Sequence, residues 1–175
     1  MIIGICGHKG SGKDYLANIL IQYSNYKITH FAGPIKDILC EVFEISKDEL
    51  NKLKNDENTK ILGTNMRSIL QTFGTDFMQN LFGKRVWADL VLKDDNLIVA
   101  DVRFQHEIDA IIEKGGFVIK LKSNFKEDKH ISESGIEELP ESSSKYIFDN
   151  SKKDRSILDF AYKVYEDLNV QYRCC

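Results

Sequence analysis

The chain has 175 residues, 42% of them apolar and 29% charged, and a formal net charge of -3. This is the make-up of one folded domain with its own core, and the acidic balance speaks against duplex nucleic acid or an anionic membrane as partner. No apolar run approaches the ~18 residues of a membrane span and the first residues read as a core strand; Cys6, Cys40, Cys174 and Cys175 lack metal-ligand spacing and read as reduced thiols of a cytosolic protein.

Residues 2–6 form an apolar run predicted as a buried strand, and residues 15–23 carry Leu16, Ile19, Leu20 and Tyr23 at helical spacing. Between them stands GHKGSGKD, residues 7–14. Glycines at 7, 10 and 12 let the backbone turn its N–H groups inward at a helix N-terminus, which makes an anion nest. Lys13 is spaced to reach the outer phosphates of a nucleoside triphosphate. Asp14 stands where such loops usually carry Ser or Thr, and its carboxylate can still serve magnesium, an ion that prefers oxygen ligands and keeps several waters.

A second strand is predicted at 27–32, followed by a helix opened by Gly33-Pro34 with Ile35, Ile38, Leu39, Val42 and Phe43 inward. Ser46-Lys47-Asp48-Glu49 reads as a capping box for a short charged helix. Residues 64–81 read as a longer helix burying Ile69, Leu70, Phe73, Phe77 and Leu81, with Arg67, Gln71, Gly74 and Met78 on a separate stripe. A further helical turn or two is predicted at 85–92, where Trp87 offers a ring that could stack on a base. Residues 96–102 form a continuous apolar strand ending at Asp101, with Arg103 just beyond. A helix at 105–114, a strand at 117–121, a polar loop at 123–144, a short strand at 146–149 and a closing helix at 152–170 complete the reading. Strands alternating with helices imply a parallel sheet covered on both faces, with its chemistry at the carboxyl ends of the strands. Asp101 and Arg103 fall at such an end, and so does Lys36. Asn150-Ser151-Lys152-Lys153-Asp154 has one residue too many for a guanine-reading N-K-x-D, although Asn150 could touch an adenine edge.

Taken together, GHKGSGKD, HFAGPIK, MRSILQTFGTDF with a following WAD, VADVRFQHE, and KHISESG before a terminal FDN and helix resemble the deoxynucleoside monophosphate kinases of bacteriophages. These are phosphate-loop kinases related to adenylate kinase and phosphomevalonate kinase, and Asp14 in place of Ser or Thr is familiar among them. The resemblance spans nearly the whole chain and implies a three-layer α/β phosphate-loop kinase fold with a parallel sheet of about five strands. It implies a single domain over 1–175, with a helical acceptor-binding region near 34–92 and a lid-like loop at 123–144.

The implied reaction moves the γ-phosphoryl of ATP onto a deoxynucleoside 5′-monophosphate. By resemblance, Gly10, Ser11, Gly12, Lys13, Asp14 and Asn150 would bind ATP, while Asp14 and Asp101 would serve Mg²⁺. Lys36, Arg67, Gln71, Gly74, Trp87 and Arg103 would form the acceptor site, and Lys13, Arg67 and Arg103 would act on the transferring group. The VRFQHE stretch has His106 where the family more often has Asn, which leaves the role of residue 106 open; roles for His130, Ser132 and Glu133 in the lid-like loop are open as well. The implied partners are ATP and deoxynucleoside monophosphates, without nucleic acid or membrane; a homodimer is left open, and the place of action is the cytoplasm, of a host cell if the source is viral. The rival readings are another small-molecule kinase on the same scaffold, of the phosphomevalonate or dephospho-coenzyme A type, and a non-catalytic nucleotide-binding module.

Overall fold

The computed structural model of the chain describes residues 1–124 and 140–173. In chain order the elements are β1 (Ile2–Cys6), α1 (Lys13–Leu20), a 3-10 turn (Ile21–Tyr23), β2 (Lys27–Thr29), α2 (Gly33–Phe43), α3 (Lys47–Asn55), α4 (Met66–Gln71), a π turn (Thr72–Phe77), α5 (Met78–Phe82) and α6 (Val86–Val91). They continue with β3 (Leu97–Val102), α7 (Gln105–Glu113), β4 (Phe117–Lys122), a 3-10 turn (Glu141–Ser143), β5 (Tyr146–Asp149) and α8 (Ser156–Arg173). The chain divides into two compact units, Met1–His30 with Asp94–Cys175, and Phe31–Lys93.

The first unit holds a five-stranded sheet in the order β2-β3-β1-β4-β5, with every neighbouring pair parallel. The order of connection reverses at the central β1, whose connection runs to β2 on one side while β4 connects to β5 on the other; ligands of such sheets bind at the carboxyl ends around this point. Ile3, Ile5, Ile98, Ala100, Ile119 and Leu121 pack against Leu16 and Ala17 of α1 and Ile157, Ala161 and Val164 of α8. The opposite face receives α7. There Gly4 has no side chain because Ile111 occupies the space: a Cβ on Gly4 would lie 2.7 Å from Ile111 Cδ1. Burial on both faces explains why β1, β3 and β4 read as near-continuous apolar runs.

β2 is shorter than the predicted 27–32. Its partner β3 slips register by one residue between the Gly4↔Val99 and Cys6↔Val102 pairs, and the β2 ladder ends at Thr29↔Val99 as that bulge begins. Tyr23, expected in the first helix's buried stripe, sits in the 3-10 turn, 48% exposed, with its ring 5.6 Å from that of Tyr165.

The second unit is helical. Ser46 caps α3 by accepting the Glu49 N–H at 3.1 Å, as its sequence predicts. Asn65 caps α4 through the Ser68 N–H at 2.8 Å, two residues later than the predicted start. Ile35 and Leu39 turn inward from α2, whereas Ile38 and Val42, expected inward, are exposed. Phe77 and Leu81 are exposed as well, at 53% and 61%. The π turn explains this: its wider turn rotates everything after Gln71 away from the stripe drawn on a regular helix, and Gly74 takes a buried place within it.

Candidate active site

The loop after β1 is built as its glycines require. Gly7, Gly10 and Gly12 have φ of 149°, 78° and 96°. A Cβ on Gly7 would sit 2.6 Å from the Leu121 carbonyl oxygen, and one on Gly12 would sit 2.7 Å from Asn150 Nδ2. The Ser11 N–H donates to His8 O at 3.1 Å and closes the turn; Leu16 N–H then donates to Gly12 O and opens α1. Lys13 lies across the loop, donating from Nζ to Gly7 O at 2.7 Å and His8 O at 2.9 Å. Ser11 is fully buried and Gly10 exposed. Asp14 projects from the first turn of α1 with its side chain 78% exposed, and its Oδ1 stands 3.4 Å from His30 Nε2.

Asp101 and Arg103 lie at the carboxyl end of β3, the strand beside β1. Paired residues share a face, so Val99 and Val102 both lie on the α7 side with Gly4 and Cys6. The bulge thus releases Asp101 from the alternation that would have turned it into that buried face. Bulges of this kind re-aim side chains next to active sites. Asp14 and Asp101, expected to serve magnesium, are carboxylates, the ligand type that ion takes, typically one or two from protein with phosphates and water completing its shell. Among the described residues no three or more His, Cys, Asp or Glu side chains are grouped so as to hold a metal ion.

Two buried polar residues brace this edge. Asn150, expected to expose an edge to adenine, is only 6% exposed; its Nδ2 donates to Ser11 O at 2.9 Å and its own N–H donates to Lys122 O at 2.9 Å. The amide lies beneath the loop and ties it to the ends of β4 and β5. The other is Glu107, which sequence reasoning passed over. Its Oε2 accepts the N–H groups of Arg103 at 2.7 Å and Phe104 at 3.0 Å. Burial pushes its carboxyl up to about 8, against the pull of those two N–H groups. A Glu three residues into a helix is half of a capping box, but Phe104 at the cap position hid the other half. His106 stacks on Phe104, ring centroids 5.2 Å apart. His130, Ser132 and Glu133 lie outside the described residues.

In the second unit Arg67 and Gln71 occupy α4, each partly buried. Lys36 Nζ donates to Asn51 Oδ1 at 3.4 Å, linking α2 to α3. Gly74 and Trp87, expected at the acceptor site, are joined to each other. Trp87 is 6% exposed and its Nε1–H donates to Gly74 O at 2.8 Å, so the ring is core and offers no open face to a base. Gly74 lacks a side chain to admit Ile35: a Cβ on Gly74 would lie 2.8 Å from Ile35 Cδ1. A separate open groove of about 400 Å³ is lined by Thr64, Ser68, Ile69, Thr72, Phe73 and Phe77.

The family model of deoxynucleotide monophosphate kinase matches residues 52–160, more than half of the chain. The chain belongs to the deoxynucleotide monophosphate kinase family. A protein of Acanthamoeba polyphaga mimivirus that bears the family's name is 33% identical over 141 residues, covering 69% of this chain and 73% of the viral protein. The deoxynucleotide monophosphate kinase of Enterobacteria phage T4 is 31% identical over 124 residues, 59% of this chain and 49% of the phage protein, so the match spans about half that relative's length. Among solved structures, shikimate kinase from Bacteroides thetaiotaomicron superposes with a TM-score of 0.48 at 15% identity, over 96% of this chain and 97% of that one. The family match includes Asp101, Arg103, Glu107 and Asn150 but begins after the phosphate loop, which stands on its own geometry. None of the described helices is long and apolar enough to cross a membrane.

Proposed function

We propose that this chain transfers the γ-phosphoryl of ATP to the 5′-phosphate of a deoxynucleoside monophosphate, giving ADP and the deoxynucleoside diphosphate. The observation that carries the reading is a glycine-built anion loop with its lysine at the end of the central strand, in a member of the deoxynucleotide monophosphate kinase family.

Gly10, Ser11, Gly12 and Lys13 receive the donor phosphates, their backbone N–H groups and the ammonium offsetting the negative charge. In the resting loop the Lys13 ammonium is held on two carbonyl oxygens, and phosphate oxygens take their place when ATP binds. Asp14 and Asp101 would hold Mg²⁺, directly or through water; when bound, the ion supplies charge neutralisation and orientation of the β- and γ-phosphates. Arg103 faces the transferring group, and Lys36, Arg67 and Gln71 receive the acceptor, with Gly74 and Trp87 supporting that region from beneath. The acceptor phosphate is already an anionic nucleophile, so the reaction needs alignment and charge stabilisation rather than a general base.

The test is ADP release with ATP and Mg²⁺ against each of the four deoxynucleoside monophosphates and their ribose counterparts. Acceptor-dependent release with one or more deoxynucleotides supports the reading. Release at the same rate with and without acceptor sinks it.

A further inference from the structure

The transfer reaction proposed above uses no buried acid, yet the chain carries one at the edge of the sheet where the phosphate loop lies. Glu107 is 6% exposed, and the N–H groups it accepts belong to two consecutive residues, Arg103 and Phe104. A helix cap alone does not need this arrangement. An N3 glutamate that caps from the surface satisfies the N-cap N–H while remaining hydrated. Here the same oxygen also takes the N–H of Arg103, one residue outside the helix, at the shorter distance of 2.7 Å.

The held segment is short and has two ends under control. At its start the bulge in β3 turns Asp101 out of the strand's alternation and seats Val102 beside Cys6. At its far end the Phe104 carbonyl accepts the N–H groups of Glu107 and Ile108 at 3.1 and 3.2 Å, while Ile108 and Ile111 are fully buried in the α7 face. Between these anchors lies Arg103, whose main chain is fixed by the Glu107 carboxyl. The Cα–Cβ bond is the axis from which every rotamer of arginine starts, so small peptide rotations at 103 shift by ångströms the positions open to the guanidinium.

We infer that Glu107 is a positioning residue for phosphoryl transfer: by gripping the Arg103 and Phe104 amides from inside the protein it fixes the direction of Arg103, and with the bulge that of Asp101. This rests on the kinase reading of the same edge. It assigns Glu107 an effect on turnover through Arg103, with no contact to substrate.

The experiment compares Glu107→Gln with Glu107→Asp. Glutamine keeps an acceptor oxygen at the same reach without charge; aspartate keeps a carboxyl one methylene short of the two amides. Positioning predicts that E107Q retains kcat within about threefold, while E107D loses at least about tenfold in kcat with both KM values changed by less than about threefold. A charge role predicts the opposite order, and a simple capping role, which glutamine also fills, predicts a loss of stability in E107D with kcat unchanged; E107D turning over as fast as E107Q, or faster, would overturn the inference. So would failure of both variants to fold, which would make Glu107 a determinant of the fold alone. Exposed Ile112→Gly loosens the same helix without touching the clamp, and a kcat loss there equal to that of E107D would also count against it. Hydrogen exchange at the Arg103 and Phe104 amides, slow in the wild-type chain and E107Q and accelerated in E107D, reads the clamp itself. A wild-type chain that keeps those amides protected but shows no acceptor-dependent turnover would refute the kinase reading and leave the clamp standing.

Discussion

Asn150 and Glu107 are both polar side chains held out of water at a catalytic edge, and each is tied to a backbone group whose direction matters. Truncating Asn150 to alanine leaves the buried Ser11 carbonyl unpaired, a loss of about 1–3 kcal/mol. ATP affinity is expected to fall by roughly tenfold, and the thermal midpoint by about 2–4 °C for each kcal/mol lost. Nucleotide-binding titration and thermal unfolding of Asn150→Ala check both. Glu107 gives a signature in pH. Its folded pKa, about 8, stands above the ordinary 4.5, so the folded chain holds this proton more tightly than the unfolded one. Its contribution to stability is complete below pH 4.5 and is lost as pH rises through about 8. The wild-type midpoint should therefore decline relative to that of Glu107→Gln between about pH 4.5 and about pH 8 and run level above that. Parallel curves for the two proteins would contradict the buried-acid assignment. The Cys6 thiol, pushed up to about 11 by burial in β1, stays protonated and unreactive over the same range.

At the scale of elements, what could be read from sequence depended on whether a local rule governed it. The phosphate loop and the Ser46 cap follow from spacing alone, because glycine torsions and side-chain caps are decided within a few residues. β5 falls at the predicted 146–149 because its run is bounded by Ser144 and Asn150. The β3 bulge was not legible: residues 97–100 are apolar without alternation, and only pairing with β1 reveals the extra residue. The π turn was hidden for the same reason. Gly74 reads as an opening for a ligand; the approach of Ile35 and the indole bond of Trp87, both tertiary, could not be read from its position on the helix. Trp87→Phe is expected to lower stability by about 0.5–1.5 kcal/mol by removing the indole bond to the Gly74 carbonyl. Steady-state kinetics should then show a raised KM for the acceptor with the KM for ATP unchanged. A change in the ATP constant alone would refute the assignment of this helical region to the acceptor.

For the molecule as a whole, a parallel sheet with its reversal at β1 sets the phosphate loop, the Asp101–Arg103 segment and the Asn150 brace at the carboxyl ends of neighbouring strands. The helical unit Phe31–Lys93 carries Lys36, Arg67 and Gln71. The proposed reaction draws on residues of both units, and its central claim is that a γ-phosphoryl group passes from ATP to a deoxynucleotide. The most direct test follows γ-labelled ATP with Mg²⁺ and each deoxynucleoside monophosphate, in the wild-type chain and in Lys13→Met. The account predicts labelled deoxynucleoside diphosphate from the wild type, with the rate reduced at least about a hundredfold in Lys13→Met. Label released only as inorganic phosphate, or equal transfer by both proteins, would contradict it.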